Sequence, residues 1–433
     1  MTVAVENMPR YERYKDSGID WIGEIPAHWE LLSLGSRFKE RRTKVSDKDF
    51  APLSVTKKGV VPQLESAAKT NDGDNRKLVK KGDFVINSRS DRKGSSGIAF
   101  QNGSVSLINT VLYPKEIHPV YCNYLLKSNG FVEEFYRMGH GIVADLWTTR
   151  YDEMSSIILG IPTIEEQQAI ATFLDEKTAQ IDQAIKIKEQ QITLLKERKQ
   201  IIIQNAVTKG LDPNVPMKDS GVEWIGEIPA HWECSAVKRF LAMPITDGPH
   251  TTPELVVTGF PFISAEAIKD GQIDFNKKRG YINKKDHNNF CKKYRPKKGD
   301  VYMVKSGATT GNVAIIETNQ EFSIWSPLAV FRSNDDVLSN LYLYMTLQSS
   351  YFFKGVELNW SFGTQQNIGM GILGNLPITV PPKKEQTKIA AYIKDSLGQV
   401  DNAINLHQTQ INNLNEYKAT LINSTVTGKI KVI

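Results

Sequence analysis

The sequence predicts an α+β protein with two mostly β domains separated by two long antiparallel coiled-coil helices, the halves being related by a pseudo-two-fold internal repeat. Three observations lead to this fold. The segment at 15–30 occurs again at 218–233 with only two conservative differences. Two long segments, 165–207 and 385–426, carry the same apolar stripe. Between the repeated parts lie short alternating apolar runs broken by Gly, Asn and Pro, which are typical of strands.

The first long segment, 165–207, contains no Gly or Pro. It is rich in Ala, Glu, Gln, Lys, Leu and Ile, which predicts one helix of roughly 64 Å. Residues at alternating steps of three and four indicate a coiled-coil seam, which needs a partner. The seam positions are Leu174, Thr178, Ile181, Ile185, Lys188, Ile192, Leu195, Lys199, Ile202 and Ala206.

The partner is predicted in the same chain, because the pattern recurs in register at 385–426. Two helices of one origin bury matching stripes most economically on each other, and a two-fold relation makes them antiparallel. A lysine at matching places, Lys199 and Lys418, either fixes the register of the seam or faces outward. The second seam is Ile393, Leu397, Val400, Ile404, His407, Ile411, Leu414, Lys418, Leu421 and Thr425.

The two nearly identical segments, 15–30 and 218–233, are called the clasps. Their Trp, Ile and Pro residues around a Gly turn predict a short apolar element that docks the entrance of each domain. His28 and His231 are interpreted as packing residues, because two identical clasps would place both in the same packing role. The predicted organisation is a tail and clasp at 1–30, a domain at 31–162, a long helix at 163–209, a linker and clasp at 210–233, a domain at 234–380 and a long helix at 381–433.

Composition limits the class of protein. The formal charge of +6 and the pI of about 8.9 are mildly basic and permit a nucleic-acid partner. Three cysteines without a CxxC spacing indicate neither a disulfide framework nor a zinc site. No apolar run approaches the ~20 residues of a membrane span, and the N-terminal residues do not resemble a leader. We therefore expect a cytoplasmic protein with no membrane partner.

Catalytic signatures are missing from the sequence. It contains no phosphate loop ending in Gly-Lys-Ser/Thr, no HExxH, no GxSxG and no motif set of an adenine methyltransferase. Asp175, Glu176 and Lys177 look like the end of a nuclease motif but fall on the long helix without an upstream acid. The sequence predicts a chain that is not an enzyme, with no metal or cofactor site of its own.

Two polar loops are the main candidates for binding. Each follows a Lys-Lys-Gly-Asp run and a short strand, at the same place in both halves. Small hydroxyl residues and glycines allow close approach to phosphates, and Arg, Lys, Asn and Gln can contact base edges. An ordinary surface hairpin would look similar. The candidate DNA-binding residues are Asn87, Ser88, Arg89, Arg92, Lys93 and Ser95 in the first loop and Lys305, Ser306, Thr309, Thr310 and Asn312 in the second.

Further candidates lie outside these loops. The stretch at 277–298 contains ten Lys or Arg and one acid, which suits phosphate neutralisation or a solvated loop. From this stretch Lys278 and Lys285 are predicted DNA contacts, as are Thr364, Gln365 and Gln366 near the exit of the second domain. In the first half a similar role is considered for Arg37, Lys39, Arg41, Arg42, Lys44 and Lys48.

Together these residues resemble a known family. The repeated KDSG(I/V)(D/E)WIGEIPAHWE, the Lys-Gly-Asp strand followed by SGATTGNVAI, the GTQQNI run and the two helices opened by Pro-x-x-x-Glu-Gln are similar to the specificity subunit of type I restriction-modification systems. The resemblance covers nearly the whole chain. It implies two target-recognition domains, each reading half of a bipartite site in double-stranded DNA, and two helices that space them.

The resemblance also implies partners. Two modification subunits, which bind S-adenosylmethionine and methylate adenine, are expected to assemble around the chain, and restriction subunits that use ATP and Mg²⁺ are optional further partners. The first half departs from the family pattern, with SDRKGSSGIA for SGATTGNVA and HGIVADLW for FGTQQNIG. The alternative is a coiled-coil scaffold whose two β-rich heads bind proteins or glycans. An autonomous methyltransferase or nuclease is disfavoured by the missing motifs.

Overall fold

A computed structural model describes residues 8–66, 72–141, 147–362 and 366–432, with the backbone alone at 361, 362 and 366. The chain divides into two compact units. Unit 1 contains residues 1–189 and 408–433, and unit 2 contains residues 190–407. Each unit includes one clasp, one β-rich domain and a segment of each long helix, so the predicted α+β class is confirmed.

The two long helices dominate the helical content. In chain order the helices are α1 (Leu34–Arg37), α2 (Pro119–Lys127), α3 (Asn129–Arg137), α4 (Tyr151–Ser155), α5 (Ile164–Lys209), α6 (Lys284–Lys293), α7 (Asn340–Leu347), α8 (Ser350–Asn359), α9 (Met370–Asn375) and α10 (Lys383–Val426). The long helices α5 and α10 have 46 and 44 residues, as the absence of helix-breaking residues predicts for α5.

The strands are short and confined to the clasps and domains. In unit 1 they are β1 (Tyr14–Asp16), β2 (Glu24–Pro26), β3 (Glu30–Ser33), β4 (Phe38–Glu40), β5 (Lys44–Val45), β6 (Leu53–Thr56), β7 (Gly59–Pro62), β8 (Arg76–Val79), β9 (Phe84–Asn87), β10 (Ser96–Ile98), β11 (Gly103–Val105), β12 (Asn109–Pro114) and β13 (Ile158–Ile161). In unit 2 they are β14 (Met217–Asp219), β15 (Glu227–Pro229), β16 (Glu233–Ala236), β17 (Thr246–Asp247), β18 (Phe260–Ile263), β19 (Ile268–Lys269), β20 (Gln272–Ile273), β21 (Gly280–Ile282), β22 (Val301–Val304), β23 (Val313–Ile315), β24 (Ser323–Ile324), β25 (Leu328–Phe331), β26 (Ser361–Phe362), β27 (Gln366–Asn367) and β28 (Pro377–Val380).

The largest sheet has the same topology in both domains. In unit 1 its four antiparallel strands have the order β10-β9-β12-β4. In unit 2 the order is β23-β22-β25-β17. Because β9 and β22 follow the two copies of Lys-Lys-Gly-Asp, the strands correspond one to one. Each domain therefore contains a sheet of the same topology, although the two sequences share only fragments.

The Lys-Lys-Gly-Asp run is a turn stabilised by its buried aspartate. Asp83 accepts the Lys80 N–H at 2.8 Å and two Arg41 guanidinium bonds at 2.7 and 2.9 Å. In unit 2 Asp300 accepts the Lys297 N–H at 2.9 Å and binds the Arg332 guanidinium in the same bidentate way. The Gly between them has a positive φ in both copies, which other residues rarely adopt. The repeated run is therefore a structural element beneath each polar loop.

Each clasp docks on the first turns of a long helix. In unit 1 the fully buried Trp29 donates its indole N–H to Glu166 Oε1 at 3.1 Å, and His28 Nε2 lies 2.9 Å from Glu166 Oε2. In unit 2 Trp232 and His231 make the same contacts with Glu385, at 3.1 and 2.9 Å. Both histidines thus hold a clasp against a helix, in agreement with the packing interpretation.

The residue after each of these glutamates joins the helix to the domain. Gln167 accepts the His118 N–H, at the N-terminus of α2, at 2.8 Å and donates to the Pro162 carbonyl at 3.0 Å. Gln386 accepts the Ser339 N–H, at the N-terminus of α7, at 2.7 Å. An unsatisfied helix N-terminal amide is capped in both cases by the same amide oxygen. The repeated Glu-Gln pair therefore ties clasp, helix and domain together.

The predicted seams coincide with the buried sides of α5 and α10. All twenty seam positions are buried or half-buried. In unit 2 Lys199 pairs with Asp401, whereas Gly210, just past the end of α5, lies beside Glu385. Residue numbers therefore rise along α5 as they fall along α10, and the predicted antiparallel pairing is confirmed.

Candidate nucleic-acid interface

The first polar loop follows β9 and begins with buried side chains. Asn87, Ser88 and Ser95 are only 6%, 7% and 5% exposed. The Asn87 Oδ1 accepts the Arg89 N–H at 3.1 Å, and the Ser88 hydroxyl donates to the Ile108 carbonyl at 2.5 Å. These three polar groups are buried and two of the side chains already bond within the domain, so DNA contact by Asn87, Ser88 and Ser95 stays a prediction.

A buried tyrosine anchors the loop from below. The Tyr136 hydroxyl donates to the Asn87 carbonyl at 2.9 Å. Burial raises the pKa of Tyr136 to about 12, so the phenol remains a hydrogen-bond donor at neutral pH.

Three predicted cations of this loop reach the surface in different ways. Arg89 is exposed, and the Arg92 side chain is 67% exposed beside Asp91. Lys93 Nζ lies 2.5 Å from Glu133 Oε2, so part of its charge is neutralised. Arg89 and Arg92 are thus better placed than Lys93 to contact an external anion.

Four segments of unit 1 meet around a cleft of about 600 Å³. They are the loop at residues 88–89, the turn at 107–108 before β12, residues 148–150 before α4 and residues 42–44 after β4. The cationic residues that line the cleft are Arg42, Lys44, Lys77, Arg89 and Arg150, and the acidic ones are Glu40 and Asp152. The excess of positive charge suits a polyanion such as a nucleic-acid backbone.

Unit 2 holds its polar loop with the same backbone bonds. The Lys305 N–H donates to the Pro327 carbonyl at 2.8 Å, and the Lys305 carbonyl accepts the Ile368 N–H at 2.9 Å. In unit 1 the Ser88 N–H donates to the Ile108 carbonyl at 3.2 Å. The Ser88 carbonyl accepts the Thr149 N–H at 3.0 Å. The polar loop is therefore held between the same two neighbours in both domains.

The side chains of the second polar loop are split between interior and surface. Thr310 is 7% exposed and donates to the Gly307 carbonyl at 2.7 Å, so its DNA contact stays a prediction. Ser306 is half-buried and bridges to Asn367. Thr309 and Asn312 are exposed. The surface of this loop is thus neutral and polar.

The ammonium group of Lys305 is held by a buried carboxylate, and its DNA contact stays a prediction. The Lys305 side chain is 12% exposed, with Nζ 3.3 Å from Asp247 Oδ2. Lys293 Nζ lies 2.5 Å from Asp247 Oδ1, and His250 Nε2 lies 3.3 Å from Oδ2. Burial opposes ionisation of Asp247, but the bonds and charges of Lys293 and Lys305 outweigh it and hold the pKa of this carboxyl below its usual value.

The predicted residues near the domain exit are only partly described. Thr364 and Gln365 lie outside the described residues. Gln366 belongs to β27, and its side chain is likewise outside the description. The backbone bond from Ile368 to Lys305 nevertheless brings the end of this run beside the second polar loop.

Within the basic stretch, α6 presents exposed lysines, and other cations pair internally. Lys285 is exposed on α6. Lys278 donates to the Phe275 carbonyl at 3.2 Å and lies 4.8 Å from the Tyr281 ring centroid. The Arg279 guanidinium stacks on Trp325 at 3.8 Å from its centroid. The stretch therefore combines exposed lysines with cations that order the domain.

Comparison with known proteins distinguishes this chain from other coiled-coil proteins that carry two β-rich domains. A family model described as the type I restriction modification DNA specificity domain matches residues 249–416. The specificity subunits of the type I restriction enzymes MjaX and MjaVIII of Methanocaldococcus jannaschii are 24% and 23% identical over 95% and 94% of this chain, and over 96% and 94% of their own lengths. Over nearly its whole length the chain is therefore similar to specificity subunits of type I restriction enzymes.

Solved structures share the fold of this chain. A chain from a study of complex assembly and conformational transition of the type I R-M system is 15% identical, with a TM-score of 0.68 over 93% of this chain and 98% of that one. The HsdS subunit from Thermoanaerobacter tengcongensis is 16% identical, with a TM-score of 0.52 over 94% and 98%. The fold implied by the resemblance is thereby confirmed.

The β-rich domain of unit 1 lies outside the matched residues 249–416. Its correspondence to the second domain rests on the shared strand order and on the two backbone bonds that hold each polar loop. The sequence pointed to both loops but missed Asp247, because its partners Lys293 and Lys305 belong to distant segments of the chain. Gly248, the next residue, lies against the backbone of Ile324, where a Cβ would be 2.1 Å from the carbonyl oxygen.

Two kinds of feature are missing from the described ranges. Among these residues, no group of three or more His, Cys, Asp or Glu side chains is arranged to hold a metal ion. No helix in the same ranges combines the length and apolar character of a membrane span.

Proposed function

We propose that this chain is the non-catalytic, DNA-reading subunit of a type I restriction-modification enzyme and that each recognition domain reads one half of a bipartite, asymmetric site. The observation that carries the proposal is the recurrence of one sheet and one way of holding the polar loop, with different side chains on them. A common support with different surface chemistry is what two readers of different half-sites require.

The charge of the segments supports duplex DNA as the ligand. In the first domain the cleft carries five cationic and two acidic side chains, with Arg89 at its polar loop. In the second domain α6 adds exposed lysines such as Lys285, and the polar loop adds exposed hydroxyl and amide groups at Thr309 and Asn312. Lysine and arginine neutralise phosphates, whereas Arg and Asn side chains discriminate base edges in the major groove.

The helices α5 and α10 supply the spacing in this proposal. Each is continuous and runs from a segment in one unit to a segment in the other. A continuous helix rises ~1.5 Å per residue, so its length fixes a distance along its axis. The separation of the half-sites in the DNA would then follow from helix length rather than from either domain.

The chemistry is proposed to lie on partner subunits. Two modification subunits that use S-adenosylmethionine would flank this chain, and restriction subunits that use ATP and Mg²⁺ would join them. This chain would determine which DNA sequence is bound and would form the frame on which those subunits assemble.

The primary test maps the methylated sequence. The chain is co-expressed with its modification subunits, and methylated adenines are located across a genome. The expected result is an asymmetric site of two short half-sites with a fixed spacer. Deletion of residues 234–378 should abolish recognition of one half only, whereas a continuous or palindromic site would contradict the proposal.

A second test concerns spacing. One heptad is inserted into α5 after Glu189 and one into α10 after His407, so that both seams are preserved. Each insertion adds ~10 Å of helix, which corresponds to about three base pairs. The spacer should lengthen while both half-sites stay the same, and an unchanged spacer would contradict a spacing role for the helices.

A further inference from the structure

The turn before β12 carries two exposed aliphatic side chains on a fixed backbone. Leu107 and Ile108 are 43% and 40% exposed. The Ile108 carbonyl accepts both the Ser88 N–H, at 3.2 Å, and the Ser88 hydroxyl, at 2.5 Å. Asn109 closes the turn with three bonds to Ser106, from its N–H and its amide nitrogen, at 3.0 to 3.2 Å. The turn is thus fastened at both ends, and its apolar side chains remain outside the core.

These two side chains lie in polar surroundings. Both line the cleft that also contains Arg89 and Arg150, with the hydroxyl-bearing Thr110 and Thr148 in the same lining. Exposure of aliphatic groups to water is unfavourable, and these groups cannot form hydrogen bonds. An apolar pair inside a cationic cleft therefore fits a ligand that is anionic at its edges and has an apolar group at its centre.

A duplex major groove that contains thymine has that chemistry. Phosphates border the groove, and the thymine C5-methyl is the apolar group that base pairs present there. We propose that Leu107 and Ile108 contact the C5-methyl of a thymine in the half-site read by the first domain. This assignment rests on the proposed function and adds to it two residues that determine specificity.

The second domain differs at the equivalent turn. The Lys305 N–H donates to the Pro327 carbonyl, as the Ser88 N–H donates to that of Ile108. Ser326 and Pro327 therefore stand where unit 1 has Leu107 and Ile108, and both are half-buried. The methyl contact is accordingly a property of the first half-site alone.

The test uses the complex with its modification subunits and duplexes that carry the mapped site. Each thymine of the first half-site is replaced in turn by deoxyuridine, which removes only the methyl group. At one position the affinity of the unaltered complex should fall about three- to tenfold, the effect of losing a buried methyl contact. Leu107→Ala or Ile108→Ala should reduce this discrimination to less than about twofold, and Ile108→Val should retain most of it.

Matched controls separate this contact from other effects. Leu64 is also aliphatic and 47% exposed, but it does not line the cleft. The Leu64→Ala variant should therefore discriminate between thymine and deoxyuridine as the unaltered protein does. Deoxyuridine in the second half-site should lower the affinity of the Leu107→Ala complex no more than it lowers that of the unaltered complex. Three results would each overturn the assignment: a first half-site without an A·T pair, unaltered discrimination in both alanine variants, or weakened assembly with the modification subunits in place of the thymine effect. Failure to find a bipartite site at all would instead reject the proposed function.

Discussion

Lys199 Nζ lies 2.7 Å from Asp401 Oδ1 in unit 2, and in unit 1 Lys418 Nζ lies 2.6 Å from Asp182 Oδ2. In the internal repeat Lys418 is the counterpart of Lys199, and Asp401 is the counterpart of Asp182. Each helix therefore donates one lysine and one aspartate to the same pair of bonds. Such reciprocal contacts are the mark of a two-fold relation, and they require helices that run in opposite directions.

The Lys199–Asp401 pair should contribute little energy. Both side chains are partly exposed, so water and salt screen the attraction, and Lys199→Ala should lower the free energy of unfolding by less than about 1 kcal/mol. A double-mutant cycle with Asp401→Ala, followed by denaturant unfolding of the full chain, should give a coupling of about 0.2–1 kcal/mol. Lys196, exposed on the same helix, is the control and should show no coupling with Asp401. Additive Lys199 and Asp401 effects would contradict the pairing.

The Glu166 carboxylate should be a stronger contributor, because it is buried and accepts several bonds. Glu166→Gln keeps its size but sets an amide N–H group against the donors Trp29 and His28. We expect a loss of about 2 kcal/mol in the free energy of unfolding, measured by denaturant titration with tryptophan fluorescence.

A comparison inside the chain sharpens this prediction. Glu385 makes the same two contacts but has a side chain 28% exposed against 4% for Glu166, and the Tyr11 hydroxyl also donates to Glu166. Glu385→Gln should therefore cost less than Glu166→Gln, and the exposed Glu165→Gln should cost nothing measurable. Equal losses at all three positions would indicate a general charge effect.

Arg89 should discriminate bases rather than only bind phosphate. Arg89→Ala should weaken binding to the recognised site by about 1–3 kcal/mol and relax one base position, measured on single-base variants at constant salt. Arg92→Ala is the matched control, because Arg92 is exposed on the same loop but does not line the cleft. An equal loss of affinity for all sequences in Arg89→Ala would make Arg89 a phosphate contact.

The Asp247 cluster should make the second domain acid-sensitive. Since the folded-state pKa of Asp247 is held below its usual value, its contribution is present above the ordinary carboxyl pKa of about 4 and is lost as the pH falls through the lower folded value. Asp247→Asn should cost about 2 kcal/mol in the free energy of unfolding at neutral pH. The difference from the unaltered protein should shrink as the solution is acidified.

Unfolding of the full chain from pH 7 to about pH 2 would measure that trend. Asp336→Asn makes the same charge change at an exposed position and should cost little at any pH. A cost of Asp247→Asn that stays constant with pH would show that packing, not charge, is responsible.

The polar residues of the candidate interface show where sequence reasoning stops. Arg41 is considered as a phosphate contact from the sequence, yet its guanidinium binds Asp83, in a later strand turn, at 2.7 and 2.9 Å. Lys305 is similarly held by Asp247, which belongs to a much earlier strand. A lysine or arginine in a basic run looks the same whether its partner is DNA or a carboxylate brought to it by folding.

The sequence alone determined the duplication, the two long helices and their seams, because copied segments and a period of three and four residues are local properties of the chain. The tertiary structure decided that two dissimilar domains each contain a sheet of the same topology. It also decided that Asn87, Ser88, Ser95 and Thr310 are buried and that the Lys305 ammonium pairs with Asp247. It also showed Leu107 and Ile108 in the cleft, where no motif marks them. Burial and pairing depend on residues that lie far apart in sequence, and only the folded chain brings them together.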